Sequence, residues 1–398
     1  MKTLNKFKIF KKNVLLRVDL NVPIVNGKIS DFSRIISIEP TIKNLSNNYN
    51  KIFLLSHLGR PNGENNKKLS LKIIKKYFEK NYKNNIFFSN KPFGNEIEII
   101  KKKMKNGDIC ILENIRFYKE EEDNDKSFSK KISKHYDVYV NDAFSCSHRN
   151  HSSIVGIPKY LPSVAGYTLL NEIKHLEKLS KKPKKPITAI IGGAKISTKL
   201  VLINNIIKKC NNIIIGGAMA NTFLLCAGFE VGKSLIEKNL ISTAKKILDK
   251  ADKKNINIIL PIDVVCAKNI NHKDKINIYK INKIPKNQTI LDIGPKTIKK
   301  IKSSLLNSKT IIWNGPLGVF EKKPFDKGTI SIAEIFKSNL HNKKIFSIAG
   351  GGDTVAAINK LKAKKYFNYV STSGGAFLEW LEGKELPGIL SLKKNNLN

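Results

Sequence analysis

Residues 350–354, Gly350-Gly351-Gly352-Asp353-Thr354, follow the apolar run 345–349 and precede a helical pattern, the outline of a cradle for phosphate. Glycines let backbone approach an anion, and a helix that opens there supplies unpaired N–H groups and the positive end of its dipole. A carboxylate such as Asp353 beside phosphates implies a bridging Mg2+, because alone it would repel them. Residues 371–376, Ser-Thr-Ser-Gly-Gly-Ala, repeat the design, although either turn alone reads equally well as an ordinary βα turn with an N-cap. The arginines form the second chemical set. Arg17, Arg34, Arg60, Arg116 and Arg149 are the only ones in the chain, and all precede residue 150. In a chain that otherwise uses lysine, these planar forks suit a carboxylate or phosphate, with structural ion pairs as the plain alternative.

The elements that must hold these residues are strands whose exits carry them. Residues 13–18 lead into Asp19, Leu20 and Asn21, and residues 51–56 into His57, Leu58, Gly59 and Arg60. Residues 109–112 lead into Arg116, and 136–140 into a segment holding Cys146, His148 and Arg149. Ligands of open α/β sheets gather at the carboxyl ends of strands, so these exits predict one basic pocket for a small, multiply charged anion. With such a ligand, His57 or His148 serves better as a donor than as a general base.

A proline-broken stretch, 158–162, precedes an amphipathic helix over 165–180 and a Lys/Pro-rich connection over 181–186, the expected domain boundary. A second α/β series follows. Strands over 187–191 and 212–215 exit into Gly192-Gly193-Ala194-Lys195 and Gly216-Gly217, and further strands are read over 256–260 and 290–293. The strand from residue 310 exits through Asn314, Gly315 and Pro316 toward Glu321, read either as an acceptor for a ribose hydroxyl or as a helix-starting carboxylate. Residues 227–234 match a loosened P-loop, but a helix rather than a strand precedes them, which rejects the match.

Bulk properties limit the function classes. A chain of 398 residues with 41% hydrophobic content predicts a globular protein of two domains or three. No apolar run spans a bilayer and the first residues lack a signal-peptide core, so a cytoplasmic protein without membrane partners is expected. Five scattered cysteines without a C-x-x-C pair suit reduced thiols, and the Cys146, His148, His151 spacing fits no standard zinc pattern. The net charge of +40 first suggests nucleic acid, yet the lysines are spread along the whole chain instead of forming a stripe interleaved with aromatics.

Taken in order, these segments resemble the phosphoglycerate kinase family. The resemblance rests on RVDLNVP (17–23), SHLGRP (56–61), LENIRF (112–117), NDAFSCSHR (141–149), GGAKISTK (192–199), WNGPLGVFE (313–321), GGGDT (350–354) and GGAFLEWLEGKELPG (374–388). It implies an α/β fold of two Rossmann-like domains with parallel sheets, joined by an interdomain helix and hinge. The expected division is 1–164 for phosphoglycerate, 165–180 for the helix and 181–388 for nucleotide, with the tail 389–398 returning to the first domain. The implied reaction passes the acyl phosphate of 1,3-bisphosphoglycerate to Mg-ADP, giving 3-phosphoglycerate and ATP, in a cytoplasmic monomer that closes about its hinge.

By the same resemblance, Asp19, Leu20, Asn21, Arg34, His57, Leu58, Gly59, Arg60, Arg116 and Arg149 bind the phosphoglycerate. Lys195, Lys199, Gly216, Gly217, Asn314, Pro316, Glu321, Gly351, Gly352, Asp353 and Thr354 bind nucleotide, with Asp353 at Mg2+. Arg34, Lys195, Gly351 and Gly375 are the implied catalytic set. Ser373 departs from the family pattern, which has a third glycine there, and a positive φ at this serine would cost on the order of 1 kcal/mol. Two rivals are a basic nucleic-acid-binding protein on an enzyme fold, which salt-dependent RNA retention would favour, and a dehydrogenase, which lacks its G-x-G-x-x-G after the first strand.

Overall fold

In the computed structural model, which describes residues 1–181, 183–271, 276–340 and 344–397, the chain divides into two compact α/β units. One comprises Met1–Leu176 with Glu385–Asn398, the other Glu177–Lys384. The division falls inside the helix Tyr167–Lys181, not at either end of it. Lys182 in the expected connection and Asn398 at the tail lie outside the described residues.

The first unit is built on a parallel sheet of seven strands, with Asn13–Arg17 at its centre between Val138–Asn141 and Lys51–Leu55. Val14, Leu15, Leu16 and Ile52 through Leu55 are fully buried, as continuous apolar runs in a sheet covered on both faces should be. Helices Glu39–Asn47 and Lys72–Asn81 cover one face with Ile42, Leu45, Ile74 and Phe78. Strands later in the chain than Asn13–Arg17 first add on one side, and Val138–Asn141 then adds on the other, so a topological switch point lies beside the central strand. The last helix, Pro387–Lys394, belongs to this unit. Gly388 N donates to Ser147 O at 2.8 Å, and Asn395 Nδ2 donates to Leu161 O at 3.0 Å.

The second unit holds six parallel strands, ordered Asn257–Ile259, Asn212–Ile215, Ile187–Ile191, Thr310–Asn314, Phe346–Gly350, Tyr369–Ser371. The switch point here lies between Ile187–Ile191 and Thr310–Asn314. Trp313 is fully buried and stacks on Phe336, which stacks in turn on Phe367 at 4.2 Å, filling the core under the helices.

One expected strand belongs elsewhere. Thr289–Ile293 does not extend the parallel series but pairs antiparallel with Asp263–Ala267, which also pairs with Asn277–Lys280 in a separate sheet. A short apolar run carries no mark of its pairing direction, and the outer strand Asn277–Lys280 is largely exposed. Residues 227–234 do follow a helix, Met219–Cys226. All five cysteines are free, and among the described residues no helix is long and apolar enough to cross a membrane.

Candidate active site

The carboxyl edge of the first sheet collects the sequence-predicted groups because each strand ends there with a polar exit. Arg34, on the short helix Ser33–Ser37, donates through Nη1 to both oxygens of Asp19, at 2.9 and 2.7 Å. Ser145 Oγ also donates to Asp19, and Asn21 N does so at 3.0 Å. Burial pushes the Asp19 carboxyl up, but Arg34 and the hydrogen bonds from Ser145 and Asn21 outweigh it and hold the group below its ordinary value. Asn21 Oδ1 accepts from Gly59 N at 2.9 Å, and Arg116 Nη1 donates to Gly59 O at 3.0 Å, so three strand exits are tied together. Leu20 and Leu58 are buried as core side chains, and Leu20 N donates to Ser56 Oγ at 2.8 Å while Leu58 O accepts from Asn114 Nδ2 at 2.7 Å. Arg60 and Arg149 are exposed.

Arg17 has a different place. It is buried beneath this edge, where Nε donates to Ser153 Oγ at 2.9 Å, and Ser153 Oγ donates to the buried Glu121 at 2.6 Å. Its Nη2 lies 3.3 Å from His57 Nδ1. A guanidinium has no acceptor, so Nδ1 must accept and the imidazole proton resides on Nε2. Burial, together with Arg17, pushes the His57 pKa well below its ordinary value, and Arg116 and Arg34 act in the same sense. His57 is therefore a neutral donor, in keeping with an anion ligand. His148 is pushed down to about 4, by burial first and then by Arg149, so it too is neutral near pH 7.

These depressed values predict a pH dependence of stability. Between about 4 and the ordinary 6.5, the unfolded chain binds a proton at position 148 that the folded chain refuses. Stability accordingly rises with pH through this window, is complete above 6.5, and is lost as pH falls toward 4. Urea midpoints measured from pH 4 to 8 should show that slope, and His148→Asn should reduce it while leaving the share that His57 contributes; an unchanged slope in the variant would assign the effect to other groups.

The second sheet presents glycine-rich exits at its switch point. Gly192 packs on the Pro316 carbonyl, and Gly217, at φ +69, would place a Cβ 2.5 Å from Gly193 O, so both positions exclude side chains. Lys199 Nζ donates to Asn314 Oδ1, Asn314 Nδ2 donates to Gly350 O at 2.8 Å, and Gly315 N donates to Thr354 Oγ1 at 2.7 Å. These bonds join the loops after Ile187–Ile191, Thr310–Asn314 and Phe346–Gly350. Burial lowers the Lys199 pKa, opposed by the charges of Glu382 and Asp353. Gly351, at φ +104, caps the helix Gly352–Lys360, whose first turn carries Asp353 exposed. The first N–H groups of such a helix have no partners within it.

Helix Gly374–Leu381 begins after the second glycine turn, with Gly375 exposed in its first turn. Ser373 precedes it at φ −95, so the departure from glycine carries no backbone strain and the expected cost is absent. Glu321 starts no helix: it is exposed in a turn, and the next helix is Lys327–Ile335. Ser145 is an addition that the sequence reading missed, since it shows its place only through Asp19, distant in the chain. Among the described residues no group of three or more His, Cys, Asp or Glu side chains could hold a metal ion, and this includes the Cys146, His148, His151 segment.

One edge is thus lined by guanidinium groups and neutral imidazole, the other by glycine turns, helix N-termini and lysine. Comparison with known proteins agrees in kind. A family profile described as phosphoglycerate kinase matches residues 4–384. The chain is 44% identical over 394 residues, 99% of both chains, to a phosphoglycerate kinase of Chelativorans sp. (strain BNC1). It is 45% identical over 392 residues, 98% of both, to that of Bradyrhizobium diazoefficiens. The solved phosphoglycerate kinase of Coxiella burnetii aligns with a TM-score of 0.88 at 36% identity, covering 98% of each chain. That of Pyrococcus horikoshii aligns at 0.84 and 29% identity, over 99% of this chain and 98% of the other.

Proposed function

The chain belongs to the phosphoglycerate kinase family, and from that premise we propose which of its residues carry the reaction and how. The enzyme passes the acyl phosphate of 1,3-bisphosphoglycerate to ADP, giving 3-phosphoglycerate and ATP, reversibly and as a step of glycolysis. The observation that carries the residue assignment is the contrast between the two switch points, one basic and rich in arginine, the other rich in glycine with free helix N-termini.

Arg34, Arg60, Arg116, Arg149 and the Nε2–H of His57 bind the phosphoglycerate, with Asp19 and Asn21 fixing Arg34 and the loop at Gly59. Leu20, Leu58 and Gly59 contribute backbone. Lys195, Lys199, Gly216, Gly217, Asn314, Pro316 and the 351–354 turn bind the nucleotide, and Glu321 accepts from its ribose. The acceptor oxygen of ADP is already ionised, so no general base is needed. It forms a bond to phosphorus as the bond to the carboxyl oxygen breaks, and the carboxylate leaves. Catalysis then consists of alignment and of neutralising the equatorial oxygens. Arg34, Lys195 and the N–H groups at Gly351 and Gly375 do this.

The residues fit Mg2+. Asp353 is a single exposed carboxylate at a phosphate cradle, and magnesium commonly takes one or two carboxylates with the rest of its shell from substrate phosphates and water. Asp353 would hold the ion, which supplies charge neutralisation when bound. Ligands carried by separate units call for closure about helix Tyr167–Lys181, which also shields an acyl phosphate from water. We infer a cytoplasmic monomer without a specific nucleic-acid partner.

The test is an initial-rate assay with 3-phosphoglycerate and Mg-ATP. Turnover is expected, together with a smaller radius of gyration by X-ray scattering when both ligands are present than with either alone. A folded protein inactive at millimolar substrates would defeat the assignment, and an unchanged radius would defeat closure.

A further inference from the structure

Lys195 is exposed in the loop that leaves the central strand Ile187–Ile191, and the assigned chemistry needs its ammonium held at a fixed place. Within the loop, Thr198 Oγ1 donates to Lys195 O at 2.9 Å and Lys199 N to Ile196 O at 2.8 Å, while the Ile196 side chain is fully buried. These contacts shape the turn but do not secure its outer side. That is done by Glu237, 40 residues later in the chain, whose Oε1 accepts from Ser197 Oγ at 2.6 Å and whose Oε2 accepts from Ser197 N at 3.1 Å. The backbone of Glu237 is anchored in turn, its N donating to Thr222 Oγ1 at 3.1 Å. Thr222 lies on the helix Met219–Cys226 that follows Gly216 and Gly217. One carboxylate therefore ties the Lys195 loop to the neighbouring glycine exit.

We propose that Glu237 is a positioning residue for phosphoryl transfer, acting through Ser197 to hold the loop from which Lys195 reaches the transferred group. The inference rests on the assignment of Lys195 given above. Two bonds from one residue fix both the place and the tilt of the loop, which a single bond would not do. Burial acts to raise the Glu237 pKa, yet the hydrogen bonds from Ser197 and the Lys195 charge leave it lowered, so the group stays ionised while it does this.

The experiment is a double-mutant cycle in the same rate assay, with thermal melts of every variant. Glu237→Ala is expected to lower kcat roughly tenfold to a hundredfold, the scale of a displaced catalytic group, with KM for 3-phosphoglycerate unchanged. Glu237→Gln keeps the volume and one acceptor for Ser197 Oγ, and should recover part of the loss. The decisive result is that Glu237→Ala costs little more once Lys195→Ala is present, because a residue that acts through Lys195 has nothing left to position. Losses that multiply independently, or a Glu237→Ala rate within twofold of wild type, would overturn the proposal. A Lys195→Ala variant at full rate would instead overturn the reading on which it rests.

Discussion

Arg34→Ala is expected to lower kcat by on the order of a hundredfold to a thousandfold while leaving the fold intact. The side chain is 29% exposed, and its ion pair with Asp19 engages only Nη1, which leaves the rest of the fork for a ligand. A guanidinium held by a carboxylate is ready before substrate arrives, and such preorganised charge acts mainly in the transition state. Stability should fall as well, because Asp19 is only 12% exposed and loses the partner that holds its carboxylate ionised. Arg34→Lys should not rescue the rate, since an ammonium engaged by Asp19 has no second planar N–H group left to offer the oxyanion. Steady-state kinetics at saturating nucleotide, with circular dichroism melts, decide the matter. A variant with raised KM and unaltered kcat would make Arg34 a binding residue only.

Much of this site was legible in the sequence because the fold places chemistry at strand exits. Apolar runs such as residues 51–55, ending in His57 and Arg60, announce both a buried parallel strand and the group it delivers. The two switch points follow from strand order, which the alternation of elements implies but does not spell out. What escaped the sequence depends on partners remote in the chain or on angles. The direction of Thr289–Ile293 is decided by Asp263–Ala267, and an apolar pentapeptide reads alike in either orientation. Ser373 could have been strained or not; its φ of −95 is set by the turn and not by its side chain. Arg17 shares its residue type and a strand end with the arginines proposed to bind the ligand. Only packing shows that it is buried against His57 and Ser153. Glu237 follows a stretch that imitates a P-loop, which draws notice to the glycines and away from the carboxylate that holds Ser197.

The glycines at 351 and 352 separate what the fold requires from what the ligand requires. At Gly351, φ is +104 and a Cβ would lie 2.7 Å from Asn314 Nδ2, the amide that bonds Gly350 O. Gly351→Ala should therefore destabilise the second unit, by about 1–3 kcal/mol for the backbone alone, and disturb Lys199 through Asn314. At Gly352, φ is not positive and a Cβ would meet nothing within 4 Å. The protein itself thus has no need of glycine there, and alanine in the first turn of a helix favours the helix. If phosphate oxygens approach this N–H, however, the methyl group occupies their path. Gly352→Ala should melt at or slightly above the wild-type temperature and yet raise KM for the nucleotide about tenfold to a hundredfold, the worth of one hydrogen bond to a charged group. KM for 3-phosphoglycerate should be unmoved. A Gly352→Ala enzyme with wild-type nucleotide affinity would show that phosphate does not approach this turn, and Asp353 would then lose its claim to the magnesium.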